Sequence, residues 1–170
     1  MIPSQAPMRL KISKDAYKFS SAHMTVFPDG SKENLHGHNY QVEVEIELSR
    51  APNFSEMIDF RAFKDPLKEL CSAWDEKVIL ATANPHFRMV QSDAHESEFL
   101  CAGRRYVLPT PELVLLPTDN ITSENLAVLM IDAYVARLQS WIPAVLRPTR
   151  VRLSVLETRG QGAETERTLA

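Results

Sequence analysis

Residues 38–49 read HNYQVEVEIELS, and this stretch restricts the possible folds more than any other. Tyr40, Val42, Val44, Ile46 and Leu48 fall on one side of an extended chain; Gln41, Glu43, Glu45 and Glu47 fall on the other. Side chains along a β-strand alternate in direction, so the run predicts a strand with one apolar face and one charged face. Residues 8–26 approach the same pattern at Leu10 and Ile12 and then carry Tyr17, Phe19 and Ala22. They predict a preceding long strand, bulged at residues 13–15. The segment PDGSKEN between the two is rich in turn formers, which makes an antiparallel hairpin the expected pairing.

Later segments add helices to this frame. Residues 57–59 are expected to be briefly extended. Phe60, Phe63, Leu67, Leu70 and Trp74 recur at helical spacing, with Pro66 marking a start or a kink. A long connection over residues 84–118 contains GRRYVL and ELVLLP, expected to form a smaller hairpin turning at residues 109–111. Asn120 or Thr122 can cap a second helix with an apolar stripe at Leu126, Leu129, Met130, Ala133, Tyr134 and Leu138. Val151, Leu153 and Val155 alternate with Arg152 and Ser154, predicting a last strand that ends near Glu157. Residues 1–7 and 160–170 are expected to be flexible. The order strand, strand, helix, hairpin, helix, strand predicts a single α+β domain over residues 1–170. Its antiparallel sheet would carry two helices on one face and an inserted hairpin.

Charge and composition exclude several function classes. A net charge of −3 over 170 residues lacks the clustered basic footprint of a nucleic-acid binder. The longest apolar runs, such as residues 113–116, are far short of a membrane span, and MIPSQAPMRL lacks the form of a signal peptide. Only two cysteines occur; Cys71 falls on a helix-like segment as a small apolar group. A cytoplasmic protein with reduced thiols is the expectation.

The histidines supply the chemistry. His36 and His38 flank Gly37, and residues two apart on a strand project to the same side about 7 Å apart. His23 ends the preceding strand, and a hairpin closed by residues 24–35 would return the chain beside it. Three neutral imidazoles with an open fourth position form the ligand set of a catalytic zinc site. From spacing alone, a zinc site and unconnected histidines stand about equal. His86 and His95 lie in the long connection and read as solvated.

Several segments together resemble a known family. FSSAH followed by LHGHNY, then MIDF, WDEKVIL, ITSENLA and LET, resemble the 6-pyruvoyl-tetrahydropterin synthase and 6-carboxytetrahydropterin synthase superfamily, in the same order over nearly the whole domain. The resemblance implies the tunnelling fold, whose subunits join sheets into a barrel, commonly a hexamer built from two trimers. It implies zinc on His23, His36 and His38. It implies a small-molecule pterin gripped by the Glu157 carboxylate, with groups near Thr122, Ser123 and Glu124 helping to hold the ring.

The departures from the family pattern narrow the chemistry. No cysteine lies between His23 and His36, where the best-known members carry a base. Where they have an Asp-His pair, this chain has Asp75 and Glu76, which remain candidates for proton relay; His86 or His95 are candidates to replace the missing histidine. Glu33 stands three residues before His36, and Glu-x-x-His-Gly-His resembles a variant branch called type III. That branch implies a glutamate base and 6-hydroxymethyl-7,8-dihydropterin as product, from 7,8-dihydroneopterin triphosphate or its dephosphorylated form. Lys32, Lys77, Arg104 and Arg105 are candidates to meet a triphosphate. The alternatives are a 6-pyruvoyl or 6-carboxytetrahydropterin product, or a zinc- and pterin-binding oligomer with little catalysis.

Overall fold

The computed structural model describes residues 7–52, 54–57, 59–138, 148–158 and 160–169. Of the N-terminal arm expected at residues 1–7, all but Pro7 lies outside the described residues.

The alternating run is strand β3, His36–Leu48, the centre of the main sheet. Its apolar side is wholly covered: Tyr40, Val42, Val44, Ile46 and Leu48 are buried. The expected long first strand is two strands, β1 (Met8–Ile12) and β2 (Lys18–His23), both antiparallel to β3 along one edge. The break between them falls at the predicted irregularity; Tyr17 N–H closes a turn on Lys14 O at 2.9 Å. On the other edge β3 pairs with β9 (Pro148–Thr158), whose Val151, Leu153 and Val155 extend the apolar face.

Helix α1 (Arg61–Trp74) and helix α2 (Ser123–Leu138) cover that face. Helix α1 begins before Pro66, not at it; the ring sits in the second turn, and the helix reads through. Asp59 marks the start by accepting the Arg61 N–H at 2.8 Å. The Tyr134 hydroxyl donates to Phe63 O at 2.9 Å, tying the helices together inside the core. Residues 57 and 59 join no strand, and Ile58 lies outside the described residues. No described helix is long and apolar enough to cross a membrane.

Three expectations are corrected. First, the main sheet is mixed: β4 (Lys77–Ala81) runs parallel to β2, and β8 (Leu113–Leu116) runs parallel to β4. Helix α1 takes the chain from β3 past β2, so β4 runs opposite to β3 and with β2; the insertion Phe87–Pro109 is the crossover that makes β8 parallel to β4. Second, GRRYVL and ELVLLP do not pair. The first is β7 (Arg104–Pro109), paired with β6 (Glu96–Cys101), which pairs in turn with β5 (Phe87–Ser92). The second is β8, in the main sheet. The real hairpin turn is Ala102–Gly103, both at positive φ (47° and 73°), the signature of a two-residue turn. Third, the tail is strand β10 (Gln161–Thr168), antiparallel to β9. Its polar residues are paired: Arg152 donates to Glu166 at 3.0 Å, Ser154 to Glu164 at 3.0 Å, and Arg167 to Asp132 of α2 at 2.7 Å.

Strand β10 enters its pairing through a bulge at Gln161/Gly162. A Cβ on Gly162 would sit 2.2 Å from Val155 O and 2.6 Å from Leu156 Cα, both rigid backbone. Gly162→Ala is therefore expected to cost ~1–3 kcal/mol by overpacking. For a chain of this size that is a fall in Tm of roughly 3–10 °C by calorimetry. An unchanged Tm would mean the bulge does not hold β10.

Candidate metal centre

The β2–β3 register sets His23 opposite His36, Ser21 opposite His38, and Phe19 opposite Tyr40. Alternation then gathers His23, His36, His38 and Tyr40 on one face at the end of the hairpin. Ring centroids are 4.7 Å apart for His23–His36, 4.9 Å for His36–His38 and 5.4 Å for His23–His38. One ligand atom from each ring lies within 4.8 Å of the others, a spread suited to a single ion.

Two further observations fit a metal. His23 is 3% exposed, and neither ring nitrogen makes a well-formed hydrogen bond, although the Ile121 backbone lies beside the ring. Buried imidazole nitrogens are ordinarily paired, so this one is built for a ligand. Its pKa is pushed down to about 4, by burial first and then by the neighbouring His36 and His38, which keeps it in the neutral, ligating form. In His36, Nδ1 lies 2.8 Å from Asn34 O; with the proton on Nδ1 donated to that carbonyl, Nε2 is left as the lone-pair atom.

Glu33 faces the same point: its Oε2 is 4.0 Å from His36 Nε2. The loop that carries it is fastened at several places. Glu33 N–H donates to Thr25 O at 2.9 Å, and Asn120 grips Val26 from both sides, through Oδ1 at 3.1 Å and Nδ2 at 2.9 Å. Asn120 precedes α2, so the helix start and the Glu33 loop are braced together.

Strand β9 brings Glu157 to the same row. The last pair of the register is Gln41 with Leu156, and continuing it by one residue brings Tyr40 level with Glu157. Glu157 is half-buried and makes no ion pair or hydrogen bond with another described residue. Burial, then the charge of the Glu157 and Glu33 carboxylates, push the Tyr40 phenol above its ordinary range. At the start of α2, Thr122 Oγ1 accepts Asn125 N–H at 3.4 Å. Hydrogen bonds from the Thr122 hydroxyl and its own backbone hold the Glu124 carboxyl below its usual range.

Asp75 and Glu76 both meet Ser20 of β2, Asp75 through its carboxylate and Glu76 through its backbone. Asp75 Oδ1 accepts Ser20 N–H at 2.7 Å, and Glu76, at φ 55°, donates its N–H to Ser20 O at 2.7 Å. Ser20 is out of phase with His23, and among the described residues of one chain neither carboxylate pairs with a histidine. His86 packs on Gly30, where an added Cβ would meet its Cε1 at 3.2 Å, and His95 lies at the β5–β6 turn. Lys32, Arg104 and Arg105 share a cleft of about 630 Å³ that Asn34 also lines. Lys77 is separate and donates to Pro111 O at 2.7 Å. Sequence reasoning counted Tyr40 only as core and passed over Asn34, because a backbone carbonyl leaves no pattern in residue type.

The family profile for 6-pyruvoyl tetrahydropterin synthase matches residues 11–168. The chain belongs to the 6-pyruvoyl tetrahydropterin synthase family. A Methanocaldococcus jannaschii protein, provisionally named 6-carboxy-5,6,7,8-tetrahydropterin synthase, is 32% identical over 86% of this chain and 87% of its own length. Among solved structures, the 6-pyruvoyl tetrahydropterin synthase of Plasmodium vivax superposes with a TM-score of 0.85 at 20% identity, covering 96% of this chain and 99% of that one. The Plasmodium falciparum enzyme gives 0.84 at 19%, with the same coverage. The fold is thus the family's tunnelling fold, as the resemblance implied. The Plasmodium vivax protein has also been solved with a catalytic glutamate replaced by alanine and by cysteine.

Proposed function

We propose that this protein is a zinc-dependent lyase that acts on the side chain of 7,8-dihydroneopterin triphosphate, or its dephosphorylated form. The product is 6-hydroxymethyl-7,8-dihydropterin, by retro-aldol cleavage. The observation that carries the reading is the Glu33 carboxylate, 4.0 Å from His36 Nε2 at a cluster that has no cysteine base. The catalytic glutamate of the Plasmodium vivax relative accords with an acid in that role.

His23, His36 and His38 would hold the ion, which when bound polarises a side-chain hydroxyl oxygen and lowers its pKa. Glu157, without a partner among the described residues, accepts paired hydrogen bonds from the amino edge of the pterin, with Thr122, Ser123 and Glu124 beside it. Glu33 takes the proton from the hydroxyl on the second side-chain carbon. The bond between the first two side-chain carbons then breaks, and its electron pair passes into the ring imine. A proton returned to the first carbon leaves the hydroxymethyl group; the second carbon departs as a two-carbon aldehyde carrying the tail. Lys32, Arg104 and Arg105 would face a phosphorylated tail, and Asp75 and Glu76 remain proposed relay groups. The working form would be a homo-oligomer, a hexamer of two trimers. Sheet edges β8 and β10, and Phe54 and Met57 at 91% and 75% exposure, support assembly.

The Methanocaldococcus jannaschii relative favours a second reading, 6-carboxytetrahydropterin as product. Incubation with 7,8-dihydroneopterin triphosphate, followed by mass spectrometry, separates the outcomes. The expected product is 6-hydroxymethyl-7,8-dihydropterin with a two-carbon aldehyde. A 6-carboxy or 6-pyruvoyl pterin would replace the retro-aldol reading, and binding without turnover would leave only a pterin-binding oligomer.

A further inference from the structure

Among the described residues, the buried side-chain atoms without a hydrogen-bond partner are Nδ1 and Nε2 of His23 and the hydroxyl of Tyr40. All belong to one place: the two rings are 6.3 Å apart between centroids. An ion accounts for one imidazole nitrogen, and the Ile121 backbone lies beside the ring. The ion does not account for the phenol, because the three imidazoles already form the ligand set. Burying an unpaired hydroxyl is unfavourable, and a phenylalanine would avoid it. The ring would lose nothing by that change, since its packing is stacking on Phe19 at 4.8 Å. Tyr40 is 0% exposed, so the hydroxyl is closed off in the ligand-free chain and is reached only when an entering ligand displaces what covers it.

The order of groups along β3 says what the hydroxyl meets. Tyr40 is level with Glu157; His38 comes one row further, and His36 with His23 one row beyond that. Rows on a strand are about 7 Å apart. A bicyclic heterocycle anchored on Glu157 by its amino edge, with its side chain at the histidines, must pass over the Tyr40 row. One flank of such a ring carries only acceptors, the oxo group and the imine nitrogen beside the side-chain-bearing carbon. Tyr40, neutral and unpaired, offers a donor there.

Resting on the pterin reading above, we propose that the Tyr40 hydroxyl is a catalytic donor that hydrogen-bonds the ring imine nitrogen next to the reacting side chain. It orients the heterocycle between Glu157 and the histidines. It also stabilises the negative charge that this nitrogen takes up as the carbon–carbon bond breaks, with no proton leaving the phenol.

The test reads binding, not turnover. Side-chain-free pterin and 5-deazapterin, which has carbon in place of the imine nitrogen, are titrated into the zinc-loaded protein by calorimetry. Wild type is expected to bind pterin about tenfold tighter than 5-deazapterin. Tyr40→Phe is expected to lose that tenfold for pterin and nothing for 5-deazapterin. If wild type binds both alike, or Tyr40→Phe weakens both equally, the hydroxyl does not meet the imine and the inference is overturned. If Tyr40→Phe binds pterin as wild type does while Glu157→Gln weakens it, the inference fails and the pterin reading stands. If neither substitution weakens pterin, both fail together.

Discussion

His23→Ala is expected to lower zinc affinity by at least about a hundredfold, by competition against a chromogenic chelator, and to bring turnover to background. His36 and His38 are part-exposed and could each be replaced by a water ligand at moderate cost. His23 is 3% exposed, so its loss leaves a gap inside the protein and not at the solvent edge of the ligand set. The stability consequence separates a metal ligand from a packed core histidine. In the metal-free protein the His23 nitrogens are buried and unpaired, a state that costs about 1–3 kcal/mol per orphaned group. Removing the ring relieves that cost while opening a small cavity, so metal-free wild type and His23→Ala should melt within a few degrees of each other. Adding zinc should raise Tm only in wild type, because stabilisation by a ligand follows its affinity for the native state. If metal-free His23→Ala instead melts far below metal-free wild type, the ring is a structural core group and the centre is not a metal site.

The elements that could be read from sequence are those whose pattern is local. Alternation in β3 and helical spacing in α1 and α2 state their own burial, because each position reports the face it occupies. Strand β10 could not be read this way. Its residues are polar, and what holds them is partners on β9 and α2, such as Arg152 for Glu166 and Asp132 for Arg167. The parallel placement of β4 and β8 was hidden for a related reason: an apolar run of four or five residues carries no direction. The mistaken hairpin came from weighing prolines at 109–111 over Gly103, although the positive φ at Gly103 (73°) is the stronger turn signal.

The same division runs through the site. His36 and His38 announce themselves by spacing, and His23 by its position at the end of the facing strand. Glu157 and Tyr40 come together only through the β3–β9 register, more than a hundred residues apart in sequence. Their partnership is a property of topology. Asp75 shows the converse. Its segment marks it as a relay candidate, and only the fold shows that within one chain its carboxylate also accepts the Ser20 N–H.

Glu33→Gln is expected to reduce turnover by roughly 10²–10⁴-fold, the usual contribution of a positioned general base. Zinc content and pterin affinity should stay within about threefold of wild type, because the amide has the same shape and the loop is held by backbone. Glu33 N–H remains on Thr25 O, and Asn120 still grips Val26. Single-turnover kinetics with dihydroneopterin triphosphate would read the chemical step directly. A split of this kind, in kcat with affinities unmoved, belongs to a group acting in the transition state. The opposite split is also informative. Oε2 stands 4.0 Å from His36 Nε2, close enough for a carboxylate to enter the ion's coordination in place of proton transfer. In that case Glu33→Gln would release zinc along with activity, and restoring zinc in excess would restore the rate. Turnover that survives the substitution with zinc retained would leave the cleavage without its base and would return the choice of product to the family's other two chemistries.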